Sequence, residues 1–238
     1  MALPKLNETL NFELTVPSTG QKVKYRPYLV KEEKVLLQAF ESGDPKTCLE
    51  AMIDTITACL DERTKIDVGS LATFDVEYMF VKVRSKSVGE NSDLVIACGE
   101  CKHDNAVTVN LDEIEIDISD RDNVIPITEN ISVEMRYPTY EVLTKQDLSK
   151  IEKEDMDAAM AMIATSVAAI LTEEERIETD GLSSEEVIDF ISSMTTSQLK
   201  SLSEFMENMP ALTHGVEFKC ETCGHDNDME LKGLSDFF

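Results

Sequence analysis

Apolar and polar residues alternate from Thr9 to Val16, with Leu10, Phe12, Leu14 and Val16 set against Asn11, Glu13 and Thr15. A second alternating run covers Lys22 to Tyr28, and Pro17-Ser18-Thr19-Gly20 separates the two. Strand side chains point to opposite faces with a period of two, so these runs predict a β-hairpin, with Pro27 at a strand end. Helical spacing follows. Lys31 to Phe40 would turn Val35, Leu36 and Phe40 inward, and Gly43 would end the helix. Asp44-Pro45 reads as an N-cap followed by proline at the first helical position, opening a helix that runs to about Leu60. Its apolar stripe is Cys48, Met52, Ile56 and Cys59. Residues 74–84 fit both periods; Phe74, Tyr78, Val81 and Arg84 predict a helix capped by Thr73.

Beyond Leu111 the pattern shortens. Leu111 to Ile118 alternates isoleucine with acids, and 124–127 and 131–137 predict two strands that turn at Asn130. Asp155 to Leu171 is rich in Ala and Met and predicts a helix. Ser183 and Glu186 form a capping box for a helix ending near Met194. Thr195 and Gln198 start another that reaches about Met209, where Pro210 stops it. The predicted class is α+β: an N-terminal β-hairpin with helices, a zinc-ribbon-like pair of knuckles, and an inserted helical bundle. The expected divisions are 1–110, a short β segment 111–143, a helical insertion 144–212, and 213–238 folding back on the first part.

Composition narrows the function. The 238 residues are 42% hydrophobic, enough for a core, and carry a net charge of −25. Phosphate contacts need clustered Lys and Arg, so nucleic acid is not an expected partner. An anionic membrane surface is disfavoured for the same reason, and no apolar run is long enough to span a bilayer. The N-terminus lacks an apolar signal-like run, so the expected compartment is cytosolic. No nucleophile elbow, phosphate loop or zinc-protease motif is present, no small-molecule substrate is implied, and the expected role is non-enzymatic. The acids near 173–189 read as a solvated face.

Six cysteines carry the remaining chemistry. Cys48 and Cys59 lie about three helical turns apart, roughly 16 Å along the axis, too far for a disulfide, and read as buried free thiols. The other four form two Cys-x-x-Cys pairs, Cys98/Cys101 and Cys220/Cys223. With the cysteines aligned, His103, Asp104 and Asn105 match His225, Asp226 and Asn227. Apolar residues precede each pair and a strand-like run follows, so each unit reads as strand, knuckle, strand. Backbone N–H groups inside such a turn can donate to the sulfurs, and Gly99 and Gly224 would supply the backbone freedom. Four thiolates make a closed tetrahedral set that suits structural Zn²⁺. An iron–sulfur cluster is the alternative for four cysteines. His103 and His225 would hydrogen-bond beside the knuckles. Clipping the middle of the chain to its end would restrict the unfolded state by on the order of 4–5 kcal/mol, and the intervening insertion would have its ends at the metal. The terminal Phe237-Phe238 would either dock in the core or plug into a partner.

Several phrases point to a family. They are Thr15-Val16-Pro17-Ser18-Thr19-Gly20, Tyr25-Arg26-Pro27-Tyr28-Leu29-Val30-Lys31-Glu32-Glu33-Lys34, Phe74-Asp75-Val76-Glu77-Tyr78 and Arg84-Ser85-Lys86-Ser87-Val88-Gly89-Glu90. Phe205-Met206-Glu207-Asn208-Met209-Pro210 and the tail from the second knuckle to Phe238 complete them. The chain resembles the baseplate hub proteins of T-even-type contractile-tailed phages over nearly its whole length. The resemblance implies a role in tail assembly in the host cytoplasm, with hub or tape-measure protein as partner. The chain would act as an assembly chaperone or as a permanent hub subunit in the virion tail. A zinc-ribbon nucleic-acid factor is disfavoured by Asp104, Asp112, Glu113, Asp226, Asp228 and Glu230 around the knuckles.

Overall fold

The computed structural model describes residues 11–116, 118, 122–145 and 156–237. The chain divides into two units: residues 1–118 together with 210–238, and residues 119–209 between them.

The first unit opens with the hairpin of β1 (Phe12–Thr15) and β2 (Lys22–Tyr25). Alternation works as expected: Leu14, Val16, Val23 and Tyr25 are buried, and Glu13, Lys22 and Lys24 are exposed. The connecting turn is pinned by Asp75, whose buried carboxylate accepts from Ser18 N–H (2.8 Å) and Ser18 Oγ (2.5 Å). Three helices follow, α1 (Val30–Ser42), α2 (Pro45–Cys59) and α3 (Thr73–Val88). Asp44 caps α2 by accepting from Thr47 N–H at 3.0 Å, and Pro45 is its first residue. Thr73 is the first residue of α3, while the capping position belongs to Ala72.

The inward face of α1 differs from the expectation. Glu32, Leu36 and Ala39 are buried, whereas Val35 and Phe40 are each 48% exposed. Glu32 is drawn inside by polar contacts: it accepts from Arg26 Nη2 and from Leu29 N–H, both at 2.9 Å. A buried charge is tolerated when it is paired and hydrogen-bonded in this way.

Two further antiparallel hairpins complete the unit: β3 (Asn91–Ala97) with β4 (Asp104–Asn110), and β10 (Leu212–Lys219) with β11 (Asp226–Lys232). β5 (Glu115–Ile116) adds a third strand, pairing Ile116 with Leu212 and Glu115 with Thr213. Both hairpins and α3 share one core, with Val81, Ile96, Val109, Leu111, Ile114, Leu212, Val216, Leu231 and Phe237 buried together. Lys82 of α3 ties in the turn after β4, its Nζ donating to the carbonyls of Asp112 (2.8 Å) and Leu111 (3.3 Å). The insertion therefore leaves and returns at the β5–β10 pair. Its ends do not meet at the cysteines: Cys220 lies at the other end of β10, roughly 25 Å further along an extended chain.

The second unit holds a four-stranded antiparallel sheet ordered β6-β7-β8-β9: Val124–Pro126, Ile131–Met135, Val167–Thr172 and Arg176–Glu178. Its helices are α4 (Tyr140–Lys145), α5 (Met156–Ser166), α6 (Ser184–Ser192) and α7 (Thr196–Glu207). The expected helix through Leu171 ends at Ser166, and the next six residues form a central strand. Val167 and Ile170 of that strand are buried with Val133, Met135, Ile163, Val187, Ile191 and Leu202. The insertion is thus a sheet with helices, and the helical bundle expected for it is corrected accordingly. Both predicted capping boxes are present. Ser183 and Glu186 close the start of α6, and Thr195 and Gln198 close the start of α7.

Candidate metal centre

Each hairpin of the first unit ends in a knuckle with the same backbone wiring. Cys98 N–H donates to the His103 carbonyl (2.8 Å) and Lys102 N–H to the Cys98 carbonyl (3.0 Å). In the second knuckle, Cys220 N–H donates to the His225 carbonyl (2.9 Å) and Gly224 N–H to the Cys220 carbonyl (3.0 Å). The left-handed position is the one after each second cysteine. Gly224 occupies it with φ 73°, and Lys102 takes it in the first knuckle with φ 59°. Gly99, expected to supply that freedom, sits elsewhere in its turn and is not among the positive-φ residues described.

The tight turns bring both thiols of each pair to one point, and the shared core brings the two knuckles together. The four Sγ atoms of Cys98, Cys101, Cys220 and Cys223 lie within 4.8 Å of one another. Across the knuckles, Cys98 and Cys223 are 3.7 Å apart and Cys101 and Cys220 are 3.6 Å apart. A disulfide would need about 2.05 Å. A tetrahedron with metal–sulfur bonds of about 2.3 Å has edges of roughly 3.8 Å. The four cysteines can therefore hold a metal ion as they stand. Cys98 and Cys220 are buried, and Cys101 and Cys223 face outward.

The electrostatics fit thiolates in need of a cation. Backbone N–H groups at Cys101 and Glu100 hold the Cys98 thiol below its ordinary range. Cys223 and Thr222 N–H groups bring Cys220 down to about 6. At Cys223 the His225 N–H favours the anion, but the crowding of the Cys101, Cys220 and Cys98 thiols, together with burial, outweighs it and pushes the group up to about 12. Four adjoining sulfurs cannot all ionise without a positive charge among them.

The residues expected beside the knuckles act differently. His103 and His225 are exposed, and their main-chain carbonyls, rather than their rings, close the turns. The buried polar residues are Asn105 (3% exposed) and Asn227 (6%). Asn227 Oδ1 accepts from Gly99 N–H of the other knuckle at 2.9 Å, and Asn105 Oδ1 accepts from Glu221 N–H at 3.0 Å. Their in-register position in the sequence was the available signal. Phe237 is fully buried in the shared core, and its carbonyl accepts from Ser92 Oγ at 2.9 Å. It is a core residue, not a plug held out for a partner; Phe238 lies outside the described residues. Of the remaining cysteines, Cys59 is buried and Cys48 half-buried. Burial pushes the Cys59 thiol up to about 11, as expected for an inert core thiol.

The family model for the T4 bacteriophage base plate protein matches residues 9–238. The chain belongs to that family. Neither the curated proteins nor the solved structures hold a significant match to it. The match spans residues of both units. Its role is tied to the phage baseplate, with other baseplate proteins as its natural partners. Among the described residues, no helix is long and apolar enough to cross a membrane.

Proposed function

We propose that this base plate protein acts without catalysis in assembly of the baseplate hub, in the host cytoplasm, by binding hub or tape-measure protein. The observation that carries this reading is the family match across residues 9–238. The charge supports it. The insertion, residues 119–209, has 20 Asp and Glu against seven Lys and Arg, so it holds about half of the chain's −25 in well under half of its length. Such charge keeps an assembly protein soluble before its partner arrives. In this reading Cys98, Cys101, Cys220 and Cys223 bind one structural Zn²⁺. Four sulfurs leave no position for a reactive water, and the acidic strands around the knuckles disfavour nucleic acid.

The second reading, a permanent subunit of the virion baseplate, rests on the same family description. A pull-down from infected cells should recover hub or tape-measure protein, and recovering neither would refute the assembly role. Mass spectrometry of purified particles separates the two readings. Absence from mature particles is expected of an assembly factor, and stoichiometric presence would establish the permanent subunit.

A further inference from the structure

The two knuckles are joined by more than sulfur. Residues 122 positions apart in the chain play the same part in each: Cys98 and Cys220, Gly99 and Glu221, Asn105 and Asn227. Each asparagine bonds in two directions. Asn105 Nδ2 donates to the His103 carbonyl of its own knuckle (2.8 Å), while its Oδ1 receives Glu221 N–H of the other. Asn227 Nδ2 donates to the His225 carbonyl of its own knuckle (3.1 Å), while its Oδ1 receives Gly99 N–H of the other. The pattern is reciprocal. Each amide spans both loops, and each N–H that donates across belongs to the residue directly after a first cysteine.

Both asparagines are buried, so these four bonds replace water that the groups have lost, and losing any one leaves a costly unsatisfied partner. None of the four involves a sulfur or a metal. The hydrophobic core beneath them, from Ile96 and Val109 to Val216 and Leu231, also joins the hairpins without metal. Small zinc domains fold only when the ion binds, because nothing else holds their ligands together. Here a second set of contacts already does so.

We propose that Asn105 and Asn227 are positioning residues that dock the two knuckles in the metal-free chain, so that the ion enters a four-thiol site already formed. The ion then consolidates a closed clasp instead of closing an open one. The inference rests on the metal reading for its second half only, since docking by the asparagines is a property of the chain alone.

The test is amide hydrogen exchange on full-length protein treated with chelator, read at Gly99 and Glu221, together with zinc affinity by chelator competition. In the metal-free wild type both amides should be protected. Asn227→Ala should release the Gly99 amide and Asn105→Ala the Glu221 amide. Each should weaken zinc binding by about 10–100-fold, the usual effect of removing a group that orients a ligand shell. His103→Ala, which removes only an exposed ring, should change neither reading.

Free exchange of both amides in the metal-free wild type, with β10 and β11 still protected, would overturn the proposal. So would alanine variants that lose protection yet bind zinc like the wild type, since that is what a merely structural role predicts. If an alanine variant fails to fold, Asn227→Asp, which keeps an acceptor for Gly99 N–H but loses the donor to the His225 carbonyl, should weaken zinc binding in the folded chain, and wild-type affinity would count against the proposal. A wild type with both amides protected that binds no zinc would leave the docking in place and remove the metal reading.

Discussion

The two units of this base plate protein solve the problem of closure in opposite ways. The insertion is one continuous stretch, and its sheet is built from strands that are neighbours in sequence. Among the described residues, its buried core cluster lies wholly within 119–209. The first unit is discontinuous, and its strand β10 must find its partner β5 nearly a hundred residues away. All six cysteines lie in this unit and none in the insertion. Cross-linking chemistry is placed where the entropy of loop closure is largest. The thiol cluster belongs to the architecture of a split unit, which accounts for a zinc-ribbon-like site in a chain with a net charge of −25.

If the units are energetically distinct, lesions should separate them. The largest effect is expected from Phe237→Ala. It empties a fully buried ring site in the split unit and should cost about 3–5 kcal/mol there. Hydrogen exchange should show β3, β4, β10 and β11 loosening while β7 and β8 keep their protection. Leu202→Ala is the mirror experiment. Leu202 is fully buried in the insertion, and its truncation should cost about 2–5 kcal/mol, confined to residues 119–209. Equal loosening of both units by either variant would erase the distinction.

Metal removal comes next. With free zinc at a hundred times Kd, the bound ion stabilises the state that binds it by about 2.7 kcal/mol. Chelation or Cys220→Ser should lower the thermal transition of the split unit by that order and leave the insertion unmoved. The loss should shrink with acid, because thiols must shed protons to bind the ion and its contribution falls as they are protonated. The smallest effect is expected from Ser183→Ala. It deletes the capping box of α6 and should cost about 1 kcal/mol, measured by denaturant midpoint and felt only in the insertion.

Local signals were legible where the chemistry is local. Asp44-Pro45, Ser183 with Glu186, and Thr195 with Gln198 mark helix starts that the structure reproduces, because each cap involves residues three apart. Val167–Thr172 was not legible as a strand. Val-Ala-Ala-Ile-Leu continues an Ala-rich helix without a break, and a buried apolar run has the same appearance in either state. Tertiary pairing with β7 and β9 decides it. Likewise Glu32 defeats hydropathy, since its burial depends on Arg26. At the metal centre the cysteines announce themselves by spacing. Asn105 and Asn227 show only their matching position after each pair; the group each one holds is a backbone N–H more than a hundred positions away, which no side-chain pattern encodes.

Native mass spectrometry of the purified full-length chain tests the central claim most directly. One zinc ion per chain is expected, retained in the folded protein and lost in Cys98→Ser and Cys220→Ser. A wild-type chain that carries no metal, or one that carries iron and sulfide, would contradict it.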